Sequence, residues 1–199
     1  MYPMQRKKVE IRPLTLENWE NFVSLFGENG AYEGCWCMWW RIPEKKFQKQ
    51  LGDGNKNAMK GLVQTGNIPG LLAYVGEQPA AWCSLGPRSN FPQLHNSYPQ
   101  LDKAEDNEVW AIVCFFIGES FRHKGLMVPL ILAATDYAIS QGAKIVEAYP
   151  IDPTEDLSGC KGYTGIRSSF ITAGYTEIFR DKGQFIMRCF SGFPTSHNN

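Results

Sequence analysis

The first signal along the chain is a short alternation. Val9 and Ile11 alternate with Glu10 and Arg12 up to Pro13, the period-two pattern of a half-buried strand closed by a residue that cannot extend the ladder. The period then changes. Leu16, Trp19, Phe22, Val23 and Phe26 recur at helical spacing behind a capping Thr15, and Gly27 is placed to stop the helix. Pro43 opens a more polar helical region that ends in the Gly52-Asp53-Gly54 turn, and residues 56–64 predict another short helix before Gly66. Residues 71–75 and 79–85, joined by Gly76-Glu77-Gln78, predict an antiparallel hairpin ended by Pro87.

Residues 88–107 are polar and proline-containing with few apolar anchors, so they read as a long loop, a kind of segment that tends to serve function. By contrast, residues 109–117 form a near-continuous apolar run of β-branched and aromatic side chains, the pattern of a central strand covered on both faces. Leu126, Leu130, Ile131, Ala134, Tyr137 and Ala138 then share one helical face, ended by Gly142. Residues 144–148 predict a second buried strand, reached by a right-handed crossover if it lies parallel to the first. A last helix over 165–172 stops at Gly174, and residues 175–180 and 184–189 close the chain as a hairpin around Asp181-Lys182-Gly183. This order predicts a mixed α/β fold, and 199 residues suit one domain over the whole chain.

Composition narrows the function classes. An apolar fraction of 43% with 20% charged residues is that of a globular protein, and no stretch approaches the roughly eighteen apolar residues of a membrane span. Residues 1–8 carry basic side chains but lead into no apolar segment, so a cytoplasmic location is the expectation. Twenty basic and twenty acidic side chains cancel, which removes the electrostatic case for a nucleic-acid or membrane partner. The six cysteines are expected to be reduced, with Cys114 and Cys189 inside strand-like runs where a thiol packs as a small apolar group.

The candidate chemistry starts where the central strand runs into the amphipathic helix, at Phe115-Phe116-Ile117-Gly118-Glu119-Ser120-Phe121-Arg122-His123-Lys124-Gly125-Leu126. The free N–H groups and positive dipole end of a helix's first turn suit a phosphate. Gly125 permits close approach of a bulky group to the backbone, and Arg122 and Lys124 add charge at the same mouth. Cys35-Trp36-Cys37 offers two thiols to a metal, but no neighbouring histidine or second close cysteine pair completes a four-ligand set, and no metal is expected.

Arg122-His123-Lys124-Gly125-Leu126-Met127 resembles motif A of the Gcn5-related N-acetyltransferase (GNAT) family, Arg/Gln-x-x-Gly-x-Gly/Ala. The opening strand, the Ala80-Ala81-Trp82 hairpin and the late Phe170-Ile171-Thr172-Ala173-Gly174-Tyr175 follow the same order, so the resemblance covers nearly the whole chain. Met127 departs from the motif's usual glycine or alanine, and Gly118-Glu119 stand where a proline is common. The resemblance implies an acyl-CoA acyltransferase-like fold, a twisted, mostly antiparallel sheet with one parallel βαβ unit and helices on both faces.

It also implies a reaction: direct attack of an acceptor amine, small-molecule or peptide, on acetyl-CoA held in the same complex by a monomer or homodimer. The backbone at Phe115, Phe116 and Ile117 would pair with the pantetheine arm, and the amides of Arg122, His123, Lys124, Gly125, Leu126 and Met127 would hold the pyrophosphate. Glu108, at the head of the central strand, is the candidate base, with burial beside Trp110 expected to suit it to that role. The tyrosine that in many relatives protonates the departing thiolate is replaced by Phe170, which leaves Tyr163 as the candidate acid. Trp36, Trp39 and Trp40 would form an apolar or cation-binding wall of the acceptor pocket, with Arg41 free to pair a carboxylate. Two rival readings stand beside this one: a non-catalytic module that binds or senses acyl-CoA, and a cysteine-dependent zinc or redox protein.

Overall fold

A computed structural model describes residues 8–152, 159–181 and 183–192. Seven strands form one sheet: β1 (Val9–Pro13), β2 (Gly70–Val75), β3 (Gln78–Pro87), β4 (Val109–Ile117), β5 (Ile145–Ala148), β6 (Thr176–Asp181) and β7 (Gln184–Phe190), in the spatial order β1-β2-β3-β4-β5-β7-β6. Only β4 and β5 run parallel; all the other neighbours are antiparallel. The parallel pair requires a crossover, and α5 (Met127–Ser140) supplies it.

Pleat alternation sorts the central strands between two faces. Leu71, Ala73, Ala81 and Cys83 pack with Leu130, Ile131, Ala134 and Phe170, so α5 and α6 (Arg167–Thr172) cover one side. Leu72, Tyr74 and Trp82 point the other way, into a core made with Trp19, Phe22 and Phe26 of α1 (Trp19–Phe26), Phe47 of α2 (Glu44–Lys49) and Met59 and Val63 of α3 (Asp53–Gln64). The anchors of α1 recur at helical spacing as the sequence predicts, but the helix starts later. Thr15 precedes a single 3₁₀ turn over Leu16–Asn18, its N–H bonded to Asn18 Oδ1 at 2.8 Å, and Leu16 is exposed.

Residues 88–107, for which the sequence predicts no regular structure, carry 3₁₀ turns at Arg88–Asn90 and Lys103–Glu105 around α4 (Gln93–Ser97). Phe91, Leu94, Tyr98 and Leu101 are buried against Ala111, Val113, Tyr149 and Ile186, a third core. A charged cluster fixes the segment from within. The side chain of Arg88 is fully buried and reaches Asp106 Oδ1 at 2.6 Å and Glu147 Oε1 at 3.1 Å. Glu147, equally buried, also accepts from Arg188 Nε at 2.6 Å and from the Tyr149 hydroxyl. A buried charge is tolerated only when paired and hydrogen-bonded, and Glu147 has three such partners.

Candidate active site

One extra residue in β4 organises the site. Leu85 pairs with Ile112 and Ser84 with Cys114, which leaves Val113 without an opposite number, a β-bulge. Before it, Trp110 and Ile112 face the α5 side; after it, Phe115 and Ile117 do, and Cys114 and Phe116 turn to the α1 side. An uninterrupted strand would give the reverse assignment. β5 stops beside the same point: its last paired residue, Ala148, lies opposite Ile112, so among the described residues the edge of β4 beyond Ile112 has no parallel neighbour.

Beside this open stretch of β4 lies a cleft of about 450 Å³ on the α5 side. Phe115 and Ile117 form one wall, Arg122, His123, Gly125, Leu126 and Met127 its end, and Tyr163, Ile166 and Ser169 the far wall. The turn into α5 takes left-handed backbone at His123 (φ 59°) and Gly125 (φ 75°), and Leu126 offers α5 no side-chain cap. Among the described residues no backbone carbonyl accepts from the amides of residues 123–128 outside the helix ladder. A helix start leaves such orphan donors, and His123, Gly125, Leu126 and Met127 line the cleft. Pro129, in the first turn of α5, has no N–H to satisfy.

A second cavity of about 250 Å³ lies across β4, lined by Phe26, Tyr32, Cys35, Cys37, Trp39, Trp40, Phe47, Cys114, Phe116 and Tyr163 among others. Tyr163 belongs to both cavities, its ring 6.3 Å from that of Phe116 and 5.7 Å from that of Tyr32. The two spaces therefore meet at the open stretch of β4, one on each face.

Of the residues expected at a donor site, Phe115, Ile117, Arg122, His123, Gly125, Leu126 and Met127 line the cleft. Phe116 presents its side chain to the other cavity, and the Lys124 ammonium sits over the Phe121 ring at 5.6 Å. Arg122 folds back so that its Nε donates to the Ile117 carbonyl at 3.3 Å. Trp39 and Trp40 line the expected acceptor pocket, but Trp36 does not: it is 3% exposed and stacks on Phe26 at 5.7 Å, a core residue. Among the described residues Arg41 pairs with no carboxylate. It donates to the Pro69 and Leu85 carbonyls and to Ser84 Oγ, stacks on Phe91 at 4.5 Å, and buries its Nε without a partner.

Glu108 stands away from both cavities. Its side chain is 52% exposed and pairs with Lys144 Nζ at 2.7 Å, so the burial expected of a base at this position is absent. Phe170 is fully buried between Phe115 and Tyr175, at 5.9 and 5.1 Å, and is part of the core beneath the cleft. Cys37 and Cys114 are the site residues that sequence reasoning left among core thiols and unassigned ones. Cys-x-Cys spacing was the signal for Cys37; Cys114 gave none, because only the bulge turns it toward the cavity. Among the described residues no three His, Cys, Asp or Glu side chains converge as metal ligands do, and no helix is long and apolar enough to cross a membrane.

Comparison with known proteins places this architecture. Residues 33–156, well over half the chain, match the model of the acetyltransferase (GNAT) family, and the chain belongs to that family. Among solved structures it is similar to the PaiA N-acetyltransferase of Thermoplasma acidophilum in complex with coenzyme A, with a TM-score of 0.52 at 14% identity over 92% of this chain and 99% of the other. It is similar also to a GNAT-family acetyltransferase of Listeria monocytogenes, with a TM-score of 0.56 at 10% identity over 92% and 94% of the two chains. The ribosomal-protein-S5-alanine acetyltransferase of Vibrio fischeri gives a TM-score of 0.55 at 11% identity over 96% of each. At these identities the likeness is one of fold. Comparison with curated proteins gives no match.

Proposed function

We propose that this protein transfers the acetyl group of acetyl-CoA to an amine, with the donor in the cleft between β4 and β5 and the acceptor in the aromatic cavity across β4. The observation that carries the reading is the bulge at Val113, because it opens β4 to both cavities over the same few residues. The unpaired edge of β4 beyond Ile112 offers backbone N–H and C=O groups to the amides of a pantetheine arm. The uncapped start of α5 offers amides to the pyrophosphate, with Gly125 leaving open space where a side chain would stand. Coenzyme A in the complex of the Thermoplasma relative supports this assignment.

The acceptor side is supported by composition of the wall. Trp39, Phe47 and Phe116 are apolar and fixed, as a pocket for the body of a small amine requires. An amine and a thioester held on the two faces of one strand react without the entropy of encounter, the main contribution of a ternary-complex enzyme. Tyr163 lines both spaces, which supports it as the hydrogen-bond donor to the departing thiolate on this reading. The test is release of free coenzyme A from acetyl-CoA across a panel of primary amines. Amine-dependent release that Phe116→Trp abolishes, with acetyl-CoA binding retained, is expected; release independent of every amine would overturn the acceptor assignment.

A further inference from the structure

The acceptor cavity contains few groups able to take a proton, and the buried one among them is a cysteine. Its one lining carboxylate, Glu33, is exposed at the rim, and Glu108 lies outside it. An amine reaches the cavity as an ammonium ion and cannot attack a thioester until it loses a proton. The wall has a built site for that proton at Cys37.

Three features single Cys37 out. The indole N–H of the fully buried Trp82 points at its sulfur, Nε1 to Sγ 3.2 Å, and Cys114 lines the same wall of the cavity. Arg41, without a carboxylate partner among the described residues, places its charge beside Cys37 and Cys114. Finally, Trp36 (φ 46°) and Cys37 (φ 61°) are consecutive non-glycine residues in left-handed backbone, a costly arrangement that tends to gather at functional sites. An N–H donor at the sulfur and a guanidinium charge close by are the surroundings of a thiolate.

We propose that Cys37 is a catalytic residue, the base that takes the ammonium proton of an acceptor amine whose aromatic or alkyl body lies against Trp39, Phe47 and Phe116. The inference rests on the acetyl-transfer reading above. The Cys37 thiolate removes one proton from the ammonium, and the freed nitrogen lone pair attacks the acetyl carbon. The carbon–sulfur bond to coenzyme A then breaks; the second proton leaves the nitrogen for the departing coenzyme A thiolate, and the proton on Cys37 passes to water.

The electrostatics of the neighbours agree. Burial alone pushes the Cys37 thiol up, but the neighbouring Cys114 thiol, the Trp82 N–H and the Arg41 charge outweigh it and hold its pKa down at about 7. The neighbouring thiols remain protonated: burial pushes Cys35 up to about 11 and, on the opposite face of the sheet, Cys83 well above its ordinary range, and the neighbouring Cys37 together with burial does the same to Cys114. Burial lowers Arg41 to about 10, still charged at neutral pH.

The probe reaction uses acetyl-CoA with 2-phenylethylamine, followed by coenzyme A release, beside iodoacetamide labelling of Cys37 in the folded protein. Labelling is expected to reach its plateau near neutral pH, and the acid limb of kcat/KM to follow the same titration. Cys37→Ser is expected to lower kcat by about 100-fold, the lower end of general-base effects, with calorimetric affinity for acetyl-CoA unchanged. Trp82→Phe, which removes one donor, is expected to move both profiles to higher pH, a shift a merely structural thiol would not produce. Labelling that still climbs above pH ~9, as an ordinary thiol's does, would overturn the proposal. So would an acetyl group found on Cys37 by peptide mass, a full-rate Cys37→Ser enzyme, or no transfer to 2-phenylethylamine. If the wild type binds acetyl-CoA in those cases, only this inference fails; if it binds none, the donor reading fails first.

Discussion

The buried ion cluster at Arg88 offers a quantitative test of how the site is held open. Glu147 pairs in register with Ala111, one position before the last β4–β5 pair, so the cluster sits where the two strands part. Arg88→Met keeps most of the aliphatic stem and removes the charge, leaving Glu147 buried with Arg188 and Tyr149 and leaving Asp106 with His95. Breaking a buried pair costs about 3–5 kcal/mol, and because Arg188 still holds Glu147 we expect the lower end, about 3 kcal/mol. At roughly 2–4 °C per kcal/mol for a chain of this size, Tm should fall by roughly 6–12 °C. The assay is reversible urea unfolding followed by tryptophan fluorescence, compared with thermal melts. Adding Glu147→Gln removes the stranded charge and should recover about 1 kcal/mol or more, a coupling that additive sites would not show. A loss below about 1 kcal/mol for Arg88→Met, the range of exposed pairs, would refute the reasoning.

Other expectations follow from the same geometry. Glu108→Gln should leave acetyl-CoA affinity and turnover near wild type and cost no more than about 1 kcal/mol, since its half-exposed pair with Lys144 is a surface interaction; a large loss of turnover would return Glu108 to the reaction. Gly165→Ala places a Cβ 2.9 Å from Phe170 and 3.0 Å from Phe115 at a φ of +91°, so it should displace the far wall of the cleft and weaken acetyl-CoA binding, measured by calorimetry; unchanged affinity would show that wall to be irrelevant. Burial opposes ionisation of Asp106, but hydrogen bonds from His95 and Arg88 outweigh it and lower its pKa. A depressed carboxylate stabilises the fold above its unfolded pKa of about 3.9 and loses that contribution as pH falls through the folded value. Asp106→Asn should therefore flatten the stability curve below pH ~4, and an unchanged acid limb would contradict the assignment.

Much of the fold was legible because hydrophobic period and backbone need coincide. The apolar run of β4 and the helical face of α5 report burial directly, whereas the alternation of β1 marks a strand of which only Ile11 is partly buried and Val9 is exposed. Residues 88–107 were not legible, since their anchors Phe91, Leu94, Tyr98 and Leu101 follow no sustained period and their stability comes from Arg88 meeting carboxylates far along the chain. The cleft proposed for the donor has a local signal in the turn around Gly125. The cavity proposed for the acceptor has only a partial one: Trp39 and Trp40 stand in a run dense in aromatic groups, but Trp36 in the same run turns inward. Which tryptophan faces the cavity depends on left-handed backbone at Trp36 and Cys37, and which half of β4 faces it depends on one bulged residue. Neither is a property of composition.

The central claim is that the splayed β4–β5 cleft binds an acyl-CoA. It is tested most directly by calorimetric titration of acetyl-CoA into the wild type and into Gly162→Trp, a cleft position where a Cβ meets open space and the backbone is not left-handed. The account predicts stoichiometric binding by the wild type, lost in the folded variant whose indole fills the cleft. Absence of binding by the wild type, or equal binding by both proteins, would contradict it.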